Sequence, residues 1–440
     1  MHGDYTDRNV PPGARGRSLI ARNRSFRYLW FGQLVSQLGD WFNTVALYAL
    51  LYEVTHSATA VAGMMVVQFL PIAVVGPVAG VIVDRHDRRR IMIGADLVRG
   101  VAILGLLLAD SASTVWIAYA AVGVSVAATG FFEPARSSAI PMLVAPGDII
   151  AANALSTASW SAMLAIGASL GGLVTALVGR DAAFLVNSLS FFLSAALIAN
   201  VRMPARQPQE KHGGFRELLE GLAYMRAHPA VGSVAMVKGG WSIAGGALLL
   251  LTVFGERIFP IGGSAAAGIG VLYAARGVGA AGGALLVNHI VGRDPQRLRR
   301  AIGPAYFAAG TAYATLAVAP NIWSAAATVV VAHVFGSLLW VASSVMLQLS
   351  VPDRYRGRVF AAELFAVTLM QAAISFATAS ALEWLHIEPR IMALWIGGAM
   401  WLPGIGWLLF APRVPETQTA PIPREPEQAE AESTSRVGHG

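Results

Sequence analysis

Along the chain, apolar residues gather into long runs broken by short polar stretches rich in arginine. A helix needs about 20 mostly apolar residues to cross about 30 Å of hydrocarbon, and each run is long enough to do so. Inside a bilayer the backbone must satisfy its own hydrogen bonds, which leaves helices or a closed barrel; runs this uniform are unlike alternating barrel strands. The pattern predicts twelve spanning helices, over 26–52, 58–83, 91–109, 114–132, 151–178, 181–201, 230–255, 264–291, 301–319, 322–350, 360–384 and 391–411. Phe69-Leu-Pro71 and Gly76-Pro77 predict kinks that neighbouring helices support.

Two stretches resist this pattern. Residues 202–229 are polar and include Pro204, Pro208, Gly213 and Gly214. Within them Phe215, Leu218, Leu219, Leu222 and Met225 share one helical face, against Arg216, Glu217, Glu220 and Arg226. That predicts an amphipathic helix on the inner membrane surface. The tail after Phe410 is rich in Pro, Glu, Gln and Thr and reads as disordered. The expected organisation is an N-terminal tail (1–25), a six-helix bundle (26–201), a linker with the amphipathic helix (202–229), a second six-helix bundle (230–411) and a disordered tail (412–440). The fold class is an all-α integral membrane protein with twelve transmembrane helices in two pseudo-symmetric six-helix bundles.

The halves look related. Span 2 ends GPVAGVIVDRHDRRR and span 8 ends AGGALLVNHIVGRDPQRLRR; Val144-Ala-Pro146-Gly-Asp148 and Val351-Pro352-Asp353-Arg354 fall after spans 4 and 10. Parallel six-span repeats are a transporter signature, with substrate held between the halves near the midplane. Small residues four apart recur every third span, at Gly76/Gly80, Gly167/Gly171, Gly279/Gly283 and Ala377/Ala381, and predict close helix packing.

Composition agrees with a bilayer solvent: 55% of 440 residues are hydrophobic and 13% charged, with mean hydropathy +0.57. The net charge of +7 is therefore read as cationic cytoplasmic loops, with no nucleic-acid partner. With the N-terminus inside, twenty-six lysines and arginines fall in inside segments and three, Arg180, Arg257 and Arg390, outside. Both termini are expected to be cytoplasmic. No cysteine is present, which excludes disulfides and thiolate metal sites. The first 25 residues lack an apolar core, so no cleaved signal peptide is expected and the first span is expected to target the chain.

No enzyme motif finds its context. Gly167-Ala-Ser169-Leu-Gly171 matches G-x-S-x-G but lies mid-span. The only lysines, Lys211 and Lys238, end no phosphate-binding loop, and no HExxH occurs. An enzyme is not expected, nor a metal or cofactor, and any pumping would draw on an ion gradient.

Ionisable residues inside spans are costly and are candidates for function. Gln33, Ser36, Gln37, Asp40 and Asn43 follow a 3–4 spacing that makes one polar stripe on span 1. Asp40 on that stripe is a candidate to bind proton or substrate; the alternative is a fixed ion pair or hydrogen bond. Asp96 and Arg99, three apart on span 3, are expected to pair. Arg276 and Lys238 have no acid near them in sequence, and within the spans the bases Arg99, Lys238 and Arg276 outnumber Asp40 and Asp96, so a cavity lined by Gln33, Gln37, Asn43 and Lys238 would carry net positive charge and suit an anionic or neutral polar group. The alternatives are snorkelling for Lys238 and interhelical pairing for Arg276. His333 is expected to be a hydrogen-bonded packing residue rather than a proton relay.

Gly80-x-x-x-Asp84-Arg85-x-x-Arg88-Arg89-Arg90, after span 2 of twelve, resembles the loop signature of the major facilitator superfamily. Leu38-Gly-Asp40-Trp41, Asp96-Leu-Val-Arg99, Phe131-Phe-Glu-Pro-Ala135, Asn153-Ala-Leu155 and Val351-Pro-Asp-Arg-Tyr-Arg-Gly-Arg-Val359 are similar to its drug-exporter branch, which includes macrolide, tetracycline and enterobactin exporters. The likeness covers nearly all of 20–411. It implies alternating access driven by proton antiport in a bacterial inner membrane, with Gly80, Asp84, Arg85, Arg88 and Arg89 as the inside gate. Asp84 would face the N-terminus of span 11, expected to open after Arg358, and the arginines would bind Asp148, Asp353 or Glu363. Two departures stand out. Asp87 replaces the usual loop glycine and either joins the latch or shields Arg88. Ala118 to Phe132 holds no base where many proton-coupled relatives carry an arginine, and Arg99 is the nearest substitute.

The expected function is secondary active export of an amphipathic small molecule, of the drug or siderophore class, in exchange for protons. Asp40, Arg99 and Arg276 would carry coupling, and the partners would be the substrate, protons and the lipid bilayer, around a monomer. The alternatives are a facilitator or importer without proton coupling and a non-transporting membrane scaffold.

Overall fold

The computed structural model describes residues 19–145, 148–204, 214–290 and 295–410. The expected disorder of the C-terminal tail and the basic residues of the N-terminal tail before residue 19 lie outside them, as do the side chains of Gly80, Asp84 and Asp353.

The described residues are helical almost throughout. The first half comprises α1 (Arg24–Thr55), α2 (Ala58–Arg85), α3 (Arg88–Leu104), α4 (Val115–Leu143), α5 (Ile149–Leu177) and α6 (Arg180–Ile198). After the connecting helix α7 (Gly214–Ala227) come α8 (Pro229–Trp241), α9 (Ala244–Val253), α10 (Ala265–Ile290), α11 (Pro295–Thr315), α12 (Ile322–Ser350), α13 (Asp353–Glu383), α14 (Pro389–Ala399) and α15 (Trp401–Phe410). Among the described residues, ten segments are long and apolar enough to cross a membrane. The runs expected at 26–52 and 301–319 are helical but are not among the ten.

Local chemistry sets several boundaries. Asn23, Ser57 and Asp87 cap α1, α2 and α3, each accepting a backbone N–H in the first turn. Asn321 and Ser324 close a reciprocal box at the start of α12. The run expected at 391–411 breaks at Met400 into α14 and α15, where Pro403 has no N–H to offer the Ala399 carbonyl.

Two expected edges move furthest. The fourth helix runs to Leu143 through Pro134 and Pro141, not to residue 132. The helix expected at 360 begins at Asp353, so its positive end precedes Arg354, Arg356 and Arg358.

Helices of the first half pack on one another, α1 on α5 and α6, α4 on α2 and α3. In the second half α12 packs on α10 and α11, and α9 on α13. The halves meet through α5 against α10 and α2 against α13. One apolar core runs across both halves at the end away from α7, from Leu47, Met64 and Phe184 to Leu249, Phe254 and Tyr313. At the end that bears α7 there are two separate cores, around Val83, Met92 and Ile140 in the first half and Leu298, Leu347 and Val359 in the second.

Small residues allow the closest approaches. A Cβ on Gly172 would stand 3.0 Å from the Gly270 Cα, so α5 and α10 touch backbone to backbone there. Gly167 and Gly171 lie against Trp41 and Phe42, and Gly279 and Gly283 against Val330 and Val334, as the spacing predicts. Gly76 does not follow: a Cβ there would meet nothing within 4 Å. The amphipathic helix forms as α7, but Leu218 is buried and Gly221 abuts the Arg358 carbonyl, so it docks on α13. Leu219 and Leu222 remain exposed.

Candidate functional site

The polar stripe on α1 faces the interior and ends on an ion-pair cluster. Arg99, on α3, sets one guanidinium nitrogen 2.9 Å from Asp40 and another 3.2 Å from Asp96. The Arg99 side chain is 6% exposed and Asp96 0%, whereas the Asp40 side chain is 40% exposed. Asp96 is thus sealed, whereas the Asp40 side chain keeps an accessible side. Phe191 of α6 stacks beneath the guanidinium, 3.9 Å from its ring centroid. The expected Asp96–Arg99 pair forms, and Asp40 joins it. Two carboxylates share one guanidinium.

Further along the stripe, Gln33 accepts a hydrogen bond of 3.2 Å from Arg136 of α4, which also pairs with Glu133 at 2.7 Å. Arg136 therefore lies in a spanning helix rather than a loop: α4 does carry a base, one turn beyond the stretch Ala118 to Phe132. Its i,i+3 partner Glu133 was the available signal. The Gln37 Oε1 and Asn43 Oδ1 are buried without a partner.

Lys238 corrects an expectation. It does not line an open cavity or snorkel: its ammonium sits 2.8 Å from Glu363 of α13, with side chains 5% and 3% exposed. Glu363 is accordingly not a partner of the loop arginines. Its own position inside an apolar run marks it by the rule that marks Asp40, and only the fold shows that it meets Lys238, 125 residues away.

Arg276, half-way along α10, has no interhelical ion pair among the described residues. Its guanidinium lies 5.6 Å from the ring centroid of Trp41 and 6.0 Å from that of Tyr273. His333 hydrogen-bonds Tyr313 at 2.8 Å and meets Trp241 edge-on, the packing role expected of it.

At the α7 end, two of the loop arginines touch groups of their own half. Arg88 donates to the Met142 sulfur at 2.9 Å and Arg89 to the Ala199 carbonyl, while Arg85 is exposed. Asp148 is taken by Arg22 at 2.5 Å rather than by these arginines. Asp87 accepts from the Arg89 and Arg90 N–H groups as the cap of α3, which decides its role in this structure. At the opposite end the halves are clasped. Glu383 of α13 accepts from the Ser57 hydroxyl at 2.8 Å and the Thr59 N–H at 2.7 Å, and Arg257 donates to the Tyr52 hydroxyl. Among the described residues no group of three or more histidines and acids is placed to hold a metal ion.

Many helices long and apolar enough to span a bilayer, packed around buried ion pairs, define a multi-pass membrane protein. Residues 20–434 match the family described as transmembrane secretion effector, and the chain belongs to that family of the superfamily. It is 26% identical over 373 residues to the uncharacterized MFS-type transporter YfiS of Bacillus subtilis, covering 80% of this chain and 85% of that protein. It is 29% identical to macrolide efflux protein A of Streptococcus pyogenes over 48% of this chain and 54% of the relative. The putative bacilysin exporter BacE of Bacillus amyloliquefaciens is 30% identical over 47% and 52%. The match thus spans about half the length of the two named exporters. A crystal structure of a POT family transporter in complex with 5-aminolevulinic acid superposes with a TM-score of 0.72 at 13% identity, over 90% of this chain and 97% of that one. These findings make the protein a membrane transporter with efflux proteins among its relatives, not an enzyme.

Proposed function

We propose that the protein is a secondary active exporter of amphipathic small molecules, drug or siderophore in class, that exchanges them for protons by alternating access. The observation that carries this reading is the cluster of Asp40, Asp96 and Arg99. Two carboxylates on one guanidinium leave one negative charge uncompensated inside a bilayer, and a proton is its simplest counter-charge. The open side of the cluster is Asp40, so Asp40 is the group that exchanges with the interior space and Arg99 the base it leans on.

The reading includes twelve spanning helices in two six-helix bundles, 26–201 and 230–411, with α7 and both termini on the cytoplasmic face of a bacterial inner membrane. The shared core away from α7 and the two separate cores beside it support a state closed on the outside and open to the cytoplasm. Gly80, Asp84, Arg85, Arg88 and Arg89 form the inside gate, and in this state Arg88 reaches Met142 and Arg89 the Ala199 carbonyl, both of the first half. The exporter names of the relatives support outward transport.

Proteoliposomes holding the purified chain under an imposed pH gradient test the coupling. Transport that follows the gradient in wild type and ignores it in Asp40→Asn is expected; indifference of wild type would sink the antiport. The existing Arg99–Asp40 bond favours one second reading, a facilitator in which Asp40 is a fixed contact, and the same measurement separates the two.

A further inference from the structure

We propose that Arg276 binds an acidic group, a carboxylate first of all, on the transported molecule, so that the substrates are anionic or zwitterionic amphiphiles. This rests on the transporter reading above and names its substrate class.

Four bases lie well inside the spanning helices of the described residues. Arg99 has two carboxylates, Arg136 has Glu133 and Lys238 has Glu363. Arg276 alone makes no hydrogen bond and no ion pair among them; only aromatic faces meet it. Charge at this depth is costly and is kept where it has a partner or a use. Snorkelling does not supply the partner. Arg276 is 11 residues from one end of α10 and 14 from the other, or about 17 and 21 Å at 1.5 Å per residue, beyond the reach of its side chain.

Instead the guanidinium turns toward the other half, over Trp41 of α1. Trp41 in turn packs against Trp160 of α5, ring centroids 6.1 Å apart, and Tyr273 stands on the α10 side. This places a free five-donor fork between the halves, among aromatic walls. A planar carboxylate matches the fork with two parallel hydrogen bonds. The aromatic rings suit the apolar body of an amphiphile. A cationic molecule would meet repulsion from Arg276. The first-half cluster has the opposite imbalance, an extra carboxylate, so a proton or ammonium at Asp40 and a carboxylate at Arg276 each answer one uncompensated charge.

The test is equilibrium binding of radiolabelled 1-naphthaleneacetate and of its methyl ester to the purified full chain in detergent. Wild type is expected to favour the acid by on the order of tenfold, the equivalent of one charge-assisted bond. Arg276→Gln should bring the ratio to about one, and Arg276→Lys, which keeps the charge without the fork, should fall between. Arg276→Gln should also unfold no earlier than wild type, because it breaks no ion pair. A wild-type ratio near one, with both probes bound or neither, overturns the proposal. So does a preference that survives Arg276→Gln, or, if that variant does not fold, survives undiminished in Arg276→Lys. Asp40→Asn should keep the acid preference while losing gradient-driven transport. If wild-type transport ignores the gradient yet the preference stands, the antiport reading fails and this one does not.

Discussion

The second half buries Lys238 against Glu363, and the first half buries Arg99 against Asp96 and Asp40. The first pairing is one to one, with both side chains at 5% exposure or less. The second is one base to two acids, and one acid is 40% exposed. A balanced, nearly buried pair has little to exchange: its charges cancel and neither side chain is more than 5% exposed. An unbalanced pair with one open member has both a reason to bind a counter-charge and a route for it. Intramembrane charge alone therefore does not mark a functional residue; the excess and its exposure do.

The largest expected effect would break the comparison from the structural side. Lys238→Met strands Glu363, and losing one partner of a buried pair costs about 3–5 kcal/mol. Adding Glu363→Leu should recover most of that stability and leave transport near wild type, read as unfolding midpoints in detergent and flux in proteoliposomes. If the double variant is stable but inactive, the pair does exchange and the contrast fails.

Next comes Asp40→Asn. Its side chain is half open and Arg99 retains Asp96, so the unfolding midpoint should hold while coupled transport falls by on the order of tenfold or more, as expected for loss of an intramembrane functional carboxyl. Glu383→Gln removes a charged acceptor that joins the halves away from α7. It should shift a cysteine pair placed across that seam toward the uncrosslinked form about two- to tenfold, a change of order 1 kcal/mol, and the absence of native cysteines leaves no background. Asp87→Ala should be mildest: it deletes a helix cap worth about 1 kcal/mol and should spare transport. Loss of transport with an unchanged midpoint would instead place Asp87 in the gate.

Much of this was legible in the sequence. Run lengths located the helices, and the 3–4 spacing of Gln33, Ser36, Gln37, Asp40 and Asn43 located the interior face of α1. Asp96 and Arg99 declared themselves by adjacency. What was not legible depends on contact between distant segments. Lys238 meets Glu363 only because α8 packs beside α13. The α4 edge lies beyond the expected 132 because the apolar run gives way there to Glu133 and Pro134, whereas neighbouring helices carry the helix on past Pro134 to Arg136. Asp87 was readable and easily missed, since an acid just before Arg88-Arg89-Arg90 and an apolar run is a capping position as well as a latch position.

The backbone contact of Gly172 with Gly270 sits near one extremity of α5, so any rocking of α5 on α10 about that end would be levered. Ile149, at the other extremity, is 23 residues away, about 35 Å of helix, so a rigid rotation of about 10° about the glycines carries it about 6 Å. Little has to move at the fulcrum for much to move at the far end of the beam. A methyl group on either glycine would thicken the fulcrum itself, and the displacement would be felt most among residues that never touch it.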